Sequence, residues 1–257
     1  MAFEEMFAWS SFGLMQQKTE GGATALDSVN QRYIVRANHV AYALKANITY
    51  EAKRDGKIID IAANMGRMFA DSIAQTRQVD AAMPLNRAFN SAYSVELGGN
   101  VAMCGTHQVP AGTTTNKLSV GAPLTEVSYE QAKIDIRDLR NGRGLKAMLT
   151  CEGLIVPFNL EFVADRLVNS TKRPDTANND KNVHLGDKVI VLDYLTNATN
   201  WFVKTSARDA AFHFERDQPF MFRDKDASNT LNDVYGMYYR DSFVIADYLG
   251  FFGSNPA

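Results

Sequence analysis

One short motif combines glycines at a spacing that binds phosphates in other proteins. Gly142, Gly144 and Ala147 match the short form of a dinucleotide-binding fingerprint. That fingerprint follows a strand and opens a helix, whereas this copy follows a predicted helix. The sequence also has no GxSxG, GxxxxGK[ST] or HExxH motif. We therefore do not interpret the glycines as a nucleotide site and predict that the chain is not an enzyme, although many active sites have no linear motif.

A second motif resembles the start of a calcium-binding loop. Asp224, Asp226 and Ser228 occupy its first, third and fifth positions. Its sixth position is Asn229 where such loops need glycine, and its twelfth is Tyr235 where they need a bidentate glutamate. The segment is more typical of a solvated turn.

Histidines and cysteines form no metal-binding pattern in the sequence. No histidine has a second ligand at helical or strand spacing, and neither cysteine belongs to a CxxC pair. We expect no bound metal or cofactor, histidines that are at the surface or half-buried, and cysteines that are small apolar core residues. These residues are His39, His107, His184, His213, Cys104 and Cys151.

Composition and charge exclude several classes of protein. The 257 residues, enough for one large domain or two small ones, include 27 Lys and Arg against 29 Asp and Glu. The net charge of -2 gives no global positive field that would draw the chain onto nucleic acid. Glu4 and Glu5 stand where a secretory signal has a basic start, and no apolar run reaches about 18 residues. We expect a folded protein that begins in a cytosol and does not bind membranes.

Apolar spacing predicts an α+β chain. The largest predicted elements are a long strand over 31–50 and an amphipathic helix over about 57–80, after an exposed segment at 14–30. The helix's apolar stripe consists of Ile58, Ile61, Ala62, Met65, Met68, Phe69 and Ile73, whereas Arg67, Asp71 and Arg77 lie off it.

The second half of the chain alternates helices and strands after an irregular region at 97–125. Ser128 and Gln131 have capping-box spacing for a helix that stops at 141–142. A strand pair broken at 152–153 and a third helix from Asn159 follow. Further strands are predicted at 188–193, 201–204 and 211–215, with a last antiparallel pair around the turn at 224–233.

Two predicted elements are too long for a compact domain of this size. A helix of 24 residues is roughly 36 Å long, and a folded-back arm over 18–50 would project up to about 50 Å. A compact chain of this length has a radius of gyration of about 18 Å. Because an isolated two-stranded arm is only marginally stable, we expect neighbouring copies to hold it.

Several blocks of the sequence, in order, resemble the major capsid proteins of tailed bacteriophages and their prophages. The most specific blocks are LIVPFNLEFVADRLVNS, PDTANNDKN and YLTNATNWF, and the resemblance covers nearly the whole chain. It implies the Hong Kong-type phage capsid fold, an α+β fold with an extended loop, a long spine helix, a peripheral domain and an axial domain. Family members usually carry an N-terminal arm ahead of a block like AFEEMFAWSSFGL, and this chain begins almost at that block.

The resemblance also implies domain limits. They are an N-terminal segment at 1–17, the extended loop at 18–50, the peripheral domain with the spine helix at 51–125, the axial domain at 126–211, peripheral return strands at 212–242 and a C-terminal strand and tail of the axial domain at 243–257.

The implied function is a major head protein that assembles into pentamers and hexamers of an icosahedral shell. The shell would enclose double-stranded DNA without sequence specificity, as part of a virion assembled in the bacterial host cytoplasm. Further implied partners are portal, scaffold and decoration proteins, and a net charge of -2 suits a wall from which DNA must be released. Two alternatives remain open: a bacterial nanocompartment of the same fold that encloses protein cargo, and an unrelated enzyme.

Two segments are the expected contacts between subunits. Few residues of 20–36 are expected in the core, so removing them should block assembly without unfolding the subunit. The loop at 174–182 has turn formers and no apolar anchor. The contact residues implied are Lys18, Glu20, Gly21, Gly22, Arg32, Tyr33 and Arg36 in the extended loop, and Asp175, Asn178, Asn179, Asp180 and Lys181 in the axial loop.

Overall fold

The computed structural model describes residues 2–56, 58–109, 112–172, 181–224 and 232–256, and over 58–63 it describes the backbone alone. Helices and strands mix along the chain, which confirms the α+β class. The helices are α1 (Tyr50–Arg54), α2 (Ile58–Asn86), α3 (Glu126–Asp138) and α4 (Glu161–Asn169). The strands are β1 (Phe3–Trp9), β2 (Gln31–Asn38), β3 (Val40–Ile48), β4 (Thr106–Val109), β5 (Gly112–Thr115), β6 (Cys151–Pro157), β7 (Val189–Leu192), β8 (Trp201–Thr205), β9 (Ala211–Asp224), β10 (Asp233–Ile245) and β11 (Phe251–Ser254).

The chain divides into two compact units, of which the first contains a three-stranded sheet. This unit comprises the first four residues, Ala37–Ala81 and His213–Val244. Strand β10 is central, between β3 and β9. It pairs antiparallel with β3 in a continuous register from Asp233 opposite Ile48 to Asp241 opposite Val40. The unit also contains most of α2.

Helix α2 confirms the predicted long helix, although it is longer than expected. It ends at Asn86 rather than near residue 80 and contains Pro84 in its last turns. Proline lacks the N–H that a helix interior needs, but Ala82 and Leu85 are buried in the second unit. Their burial stabilises the additional turns.

The apolar stripe of α2 is narrower than its sequence suggests. Phe69 is 4% exposed and Met65 and Ile73 are half-buried, as predicted. The prediction is wrong for Met68, which is 68% exposed at the edge of the stripe. The side chains of Ile58, Ile61 and Ala62 lie outside the described residues.

The second unit is built on a four-stranded sheet. It comprises Glu5–Arg36, Ala82–Phe212 and Ile245–Ala257, and its strand order is β11-β8-β6-β7. Strands β6 and β7 run parallel, with α4 between them in the chain. Ala164, Leu167 and Val168 form the buried face of α4. The core also contains residues from the end of α2, from the turn that follows it and from four strands, among them Ala82, Leu85, Ala88, Ile155, Phe202, Ile245 and Phe251.

Several predicted boundaries are wrong for local physical reasons. Residues 31–50 form two strands rather than one, because β2 pairs with β1 and β3 pairs with β10. Residues 147–157 contain one strand, β6, rather than a pair, and the predicted break at 152–153 is a register shift in the pairing of β6 with β8. The predicted irregular region at 97–125 contains the short hairpin of β4 and β5.

The cap of α3 lies one turn earlier than predicted. Thr125, not Ser128, is the N-cap. Ser128 is at the third helical position, and its hydroxyl accepts a hydrogen bond from Thr125 N. The two side chains satisfy each other's backbone N–H groups as a reciprocal capping box. Gln131 donates instead to Asp135 Oδ1 at 2.7 Å.

The two cysteines differ in burial. Cys104 is 1% exposed in the core of the second unit, as predicted, and burial raises the pKa of its thiol. Cys151 is only half-buried, and its Sγ lies 3.3 Å from the Tyr129 hydroxyl.

Candidate assembly surfaces

The connection between β1 and β2, residues 11–30, is a long exposed segment of the second unit, which we name the exposed loop. Every residue of it except Gly22 is exposed. It turns at Gly21, whose φ of 70° is in the left-handed region that favours glycine, and Gly22 N donates to Thr19 O at 3.0 Å.

Hydrogen bonds close the exposed loop at its base. Ser10 N donates to Asn30 O at 2.8 Å, and Asn30 N donates to Ser10 Oγ at 2.9 Å. These paired bonds fix the two ends of the loop beside each other.

A second closure involves Asp27 and Arg143. Asp27 accepts hydrogen bonds from Gly13 N at 2.7 Å and Ser28 N at 2.8 Å, and its carboxylate contacts the Arg143 guanidinium. Arg143 also donates to Ser28 O at 2.7 Å and to Ser11 O at 2.9 Å. The two backbone N–H groups and then the guanidinium hold the pKa of Asp27 below its ordinary value.

The exposed loop carries apolar side chains without contacts that bury them. Leu26 and Met15 are completely exposed at 100% and 101%, and Leu14 is 79% exposed. Phe12 and Val29 are 64% and 40% exposed. The sequence predicted exposure for 14–30 but not this apolar surface, although the apolar residues are visible in the sequence without a helical or strand period.

The predicted contact residues of the extended loop differ in exposure. Lys18, Glu20 and Gly21 are exposed in the exposed loop. Arg36 is exposed on β2 and pairs with Glu5 at 2.6 Å. Gly22 is half-buried.

Arg32 and Tyr33 are held inside the second unit. The Arg32 guanidinium donates to the Tyr248 hydroxyl at 2.9 Å and lies 5.4 Å from the centre of the Tyr33 ring. Tyr33 is 9% exposed and Val35 2% exposed. Within 20–36, Tyr33 and Val35 are the two residues that enter the core, because β2 is a sheet strand with one buried face.

Most of the predicted axial loop falls outside the described residues. This applies to Asp175, Asn178, Asn179 and Asp180. Lys181 is described: it is exposed and forms an isolated bridge with Lys172.

His184 is placed differently from its sequence prediction. The side chain of His39 is also buried, at 1% exposed, whereas His107 is half-buried and His213 exposed, as predicted. His184 itself is 3% exposed. Its loop is anchored by Asn182, whose Oδ1 accepts from His184 N at 2.9 Å. Burial and then Lys133 lower the pKa of His184.

The His184 ring has charged neighbours that sequence spacing did not reveal. Nδ1 accepts from Lys133 Nζ at 3.1 Å, and Nε2 lies 3.6 Å from Glu130 Oε1. Lys133 also pairs with Asp187, which accepts from the Tyr129 hydroxyl at 2.9 Å. Only the folding of the 181–187 segment against α3 brings these groups together.

An ion pair lies inside the first unit, between α2 and its sheet. Asp241 is 1% exposed and accepts from Arg77 Nε at 2.9 Å. His213 Nε2 lies 3.2 Å from the same carboxylate oxygen, and Arg77 also pairs with Glu215. Arg77, which the sequence put off the apolar stripe, therefore fixes the helix to β9 and β10.

Comparison with known proteins assigns this architecture. A family model described as phage capsid protein matches residues 33–253. The chain belongs to this family, and with its fold this makes it a major capsid protein of the tailed-phage type. No curated protein matches the chain.

Solved capsid structures share the fold at low sequence identity. A chain from Microbacterium phage Oxtober96 matches with a TM-score of 0.59 and 10% identity, over 100% of this chain and 87% of that one. The capsid of an empty GTA particle computed with C5 symmetry matches with a TM-score of 0.58 and 12% identity, over 100% and 86%. The capsid of Myoviridae phage XM1 matches with a TM-score of 0.54 and 8% identity, over 100% of this chain and 86% of that one. These matches confirm the Hong Kong-type phage capsid fold.

The helices of the described residues were compared with the length and hydropathy of membrane-spanning helices. None of the helices there is both long enough and apolar enough to span a bilayer.

Proposed function

We propose that this capsid protein assembles as pentamers and hexamers into an icosahedral shell around double-stranded phage DNA, with the exposed loop as one contact between subunits. Portal, scaffold and decoration proteins complete the particle, which forms in the cytoplasm of the bacterial host. DNA is held without sequence specificity, consistent with a net charge of -2.

The observation that carries the proposal is the exposed apolar surface of a closed loop. Met15 and Leu26 lie fully in solvent although the loop is fixed at its base. Burying a leucine or methionine side chain contributes about 1.5–3 kcal/mol, and a shell repeats the contact in every subunit. A neighbouring copy therefore gives these side chains an apolar environment that their own unit does not.

The domain limits and the second contact are part of the same proposal. The exposed loop begins earlier than the predicted 18–50 and ends before β2, so we place the extended loop at 11–30. The segment at 174–182, with Lys181 at its described end, meets its copies around each symmetry axis. The proposed axial domain at 126–211 falls within the second unit, and the return strands at 212–242 fall in the first from His213 onward.

The test replaces the exposed apolar residues and keeps the fold. We expect the double variant Met15→Ser and Leu26→Ser to give soluble subunits with an unchanged circular dichroism spectrum and no closed particles by negative-stain microscopy. The matched control, Met15→Leu with Leu26→Met, keeps the apolar surface and assembles normally. Closed particles of normal heat resistance from the serine variant would remove the exposed loop from the interface.

The contents of the particle test the proposal that the shell encloses double-stranded DNA. Particles recovered from the producing bacteria should contain nuclease-protected double-stranded DNA. Particles that instead contain one protein species and no protected DNA would identify a nanocompartment.

A further inference from the structure

Three metal-binding side chains meet beside the first two turns of α3. One carboxylate oxygen each from Glu126 and Glu130 and one ring nitrogen of His184 all lie within 4.8 Å of one another. Ligands of a tetrahedral zinc ion with bonds of about 2.1 Å lie about 3.4 Å apart, close to the 3.6 Å between His184 Nε2 and Glu130 Oε1. Small rotamer changes are enough to close the three ligands around an ion.

The buried Nε2 atom of the His184 ring lacks a hydrogen-bond partner among the described residues. Nε2 makes no hydrogen bond within the described part of the chain, although the side chain is 3% exposed. Because Nδ1 accepts from Lys133 Nζ, the proton of the neutral ring is on Nε2, facing a carboxylate that is too distant to accept it. Buried polar groups are normally satisfied, and a group that is not requires an explanation.

The charge around the ring also favours a cation. Three carboxylates, those of Glu126, Glu130 and Asp187, surround His184 with one ammonium group, that of Lys133. Glu130 is 42% exposed at its side chain, so an ion can enter from solvent. The Tyr129 ring packs edge-on against the imidazole, with centroids 5.0 Å apart, and fixes its orientation.

We propose that Glu126, Glu130 and His184 bind one divalent transition-metal ion, of which Zn²⁺ is the representative probe. Mixed imidazole and carboxylate ligands suit zinc and its neighbours better than calcium or magnesium, and water completes the coordination. The ion takes the Nε2 lone pair and the ring proton moves to Nδ1. Lys133 then releases His184 and keeps Asp187. The bound ion connects the 181–187 segment to α3.

Calorimetric titration of the purified chain with Zn²⁺ tests the site. We expect one ion per chain, and a loss of affinity of at least about tenfold in Glu130→Gln and in His184→Ala. Lys133→Met should bind several-fold more tightly, because neither an ammonium charge nor its hydrogen bond then competes with the ion. The matched control is Glu161→Gln: Glu161 is the exposed first residue of α4, as Glu126 is the first residue of α3, and its loss should not change affinity.

Co²⁺ provides a second readout, since its visible absorption reports ligation. The band should disappear in Glu130→Gln, which replaces a half-exposed side chain and retains the fold even if His184→Ala does not. Absence of stoichiometric binding, or equal affinity in native protein, Glu130→Gln and Glu161→Gln, would overturn the site. A Lys133→Met variant that binds more weakly than the native chain would overturn the proposed exchange of partners.

Discussion

Phe69 is the residue on which the packing of α2 in the first unit can be tested most directly. It is 4% exposed, at the centre of the apolar stripe. We predict that Phe69→Ala lowers the free energy of unfolding by about 3–5 kcal/mol, through lost burial and the cavity left behind. Denaturant titration of the isolated subunit measures the change.

The control for this prediction lies two residues earlier on the same helix. Arg67 is exposed, so Arg67→Ala should change the free energy of unfolding by less than about 0.5 kcal/mol. Equal losses in the two variants would contradict the described stripe.

At the residue scale, the sequence predicted which side chains are buried better than it predicted which side chains contact each other. Phe69 and Cys104 were identified as core residues from their type and spacing, because both properties are local. The pairing of Arg77 with Asp241 could not be predicted, since 164 positions separate the two residues. His184 was misjudged for the same reason: two of its three carboxylate neighbours, Glu126 and Glu130, come from a helix that is distant in the sequence.

At the scale of elements, Asp27 makes the closure of the exposed loop sensitive to acid. Its folded-state pKa lies below the ordinary value of 3.8. The stabilisation is therefore complete above about pH 3.8 and is lost as the pH falls through the lower folded-state pKa. We predict that Asp27→Asn increases amide exchange in residues 11–30 several-fold at pH 7, and that this difference disappears well below pH 3.8.

Hydrogen exchange measured by mass spectrometry, corrected for intrinsic rates at each pH, provides the measurement. Glu20→Gln, which alters another exposed carboxylate of the same loop, serves as the control and should match the native loop at both pH values. A difference between Asp27→Asn and the native protein that persists unchanged at low pH would show that the carboxylate charge is not what closes the loop.

Whole elements were predictable where one local signal dominates. The periods of α2 and α4 gave correct helices, because each buries one face in a regular pattern. The apolar runs of β7 and β8 gave correct strands, because short runs of branched and aromatic residues favour strands. Predicted boundaries were wrong where two local signals compete. Thr125 and Ser128 are both residue types that cap helices, and the sequence alone did not show that Thr125 is the N-cap of α3. The division between β2 and β3 depends on pairing with β1 and β10, which no local pattern contains.

At the scale of the whole molecule, the segment at 174–182 gives a prediction about salt. Rings of five or six copies repeat each weak charge contact around an axis. We predict that Asp180→Lys weakens capsomer formation at low salt, while the isolated fold stays intact and the difference from the native protein diminishes as salt screens the charges. Sedimentation of assembly mixtures at low and high salt measures it.

Asp71→Lys makes the same change of charge on an exposed position of α2 and is the matched control. It should leave capsomer formation nearly unchanged. Assembly of Asp180→Lys that equals the native yield at every salt concentration would exclude the segment from the ring contact.

The closed base of the exposed loop has a consequence for the affinity between subunits in the proposed shell. Ordering one flexible residue costs about 1–2 kcal/mol of backbone conformational entropy. Ser10, Asn30, Asp27 and Arg143 already restrict both ends of the loop in the single chain. If the exposed loop is the contact proposed above, each arriving copy loses less conformational entropy when it binds. The association constant of that contact is then larger than the same side chains would give on an unrestrained loop.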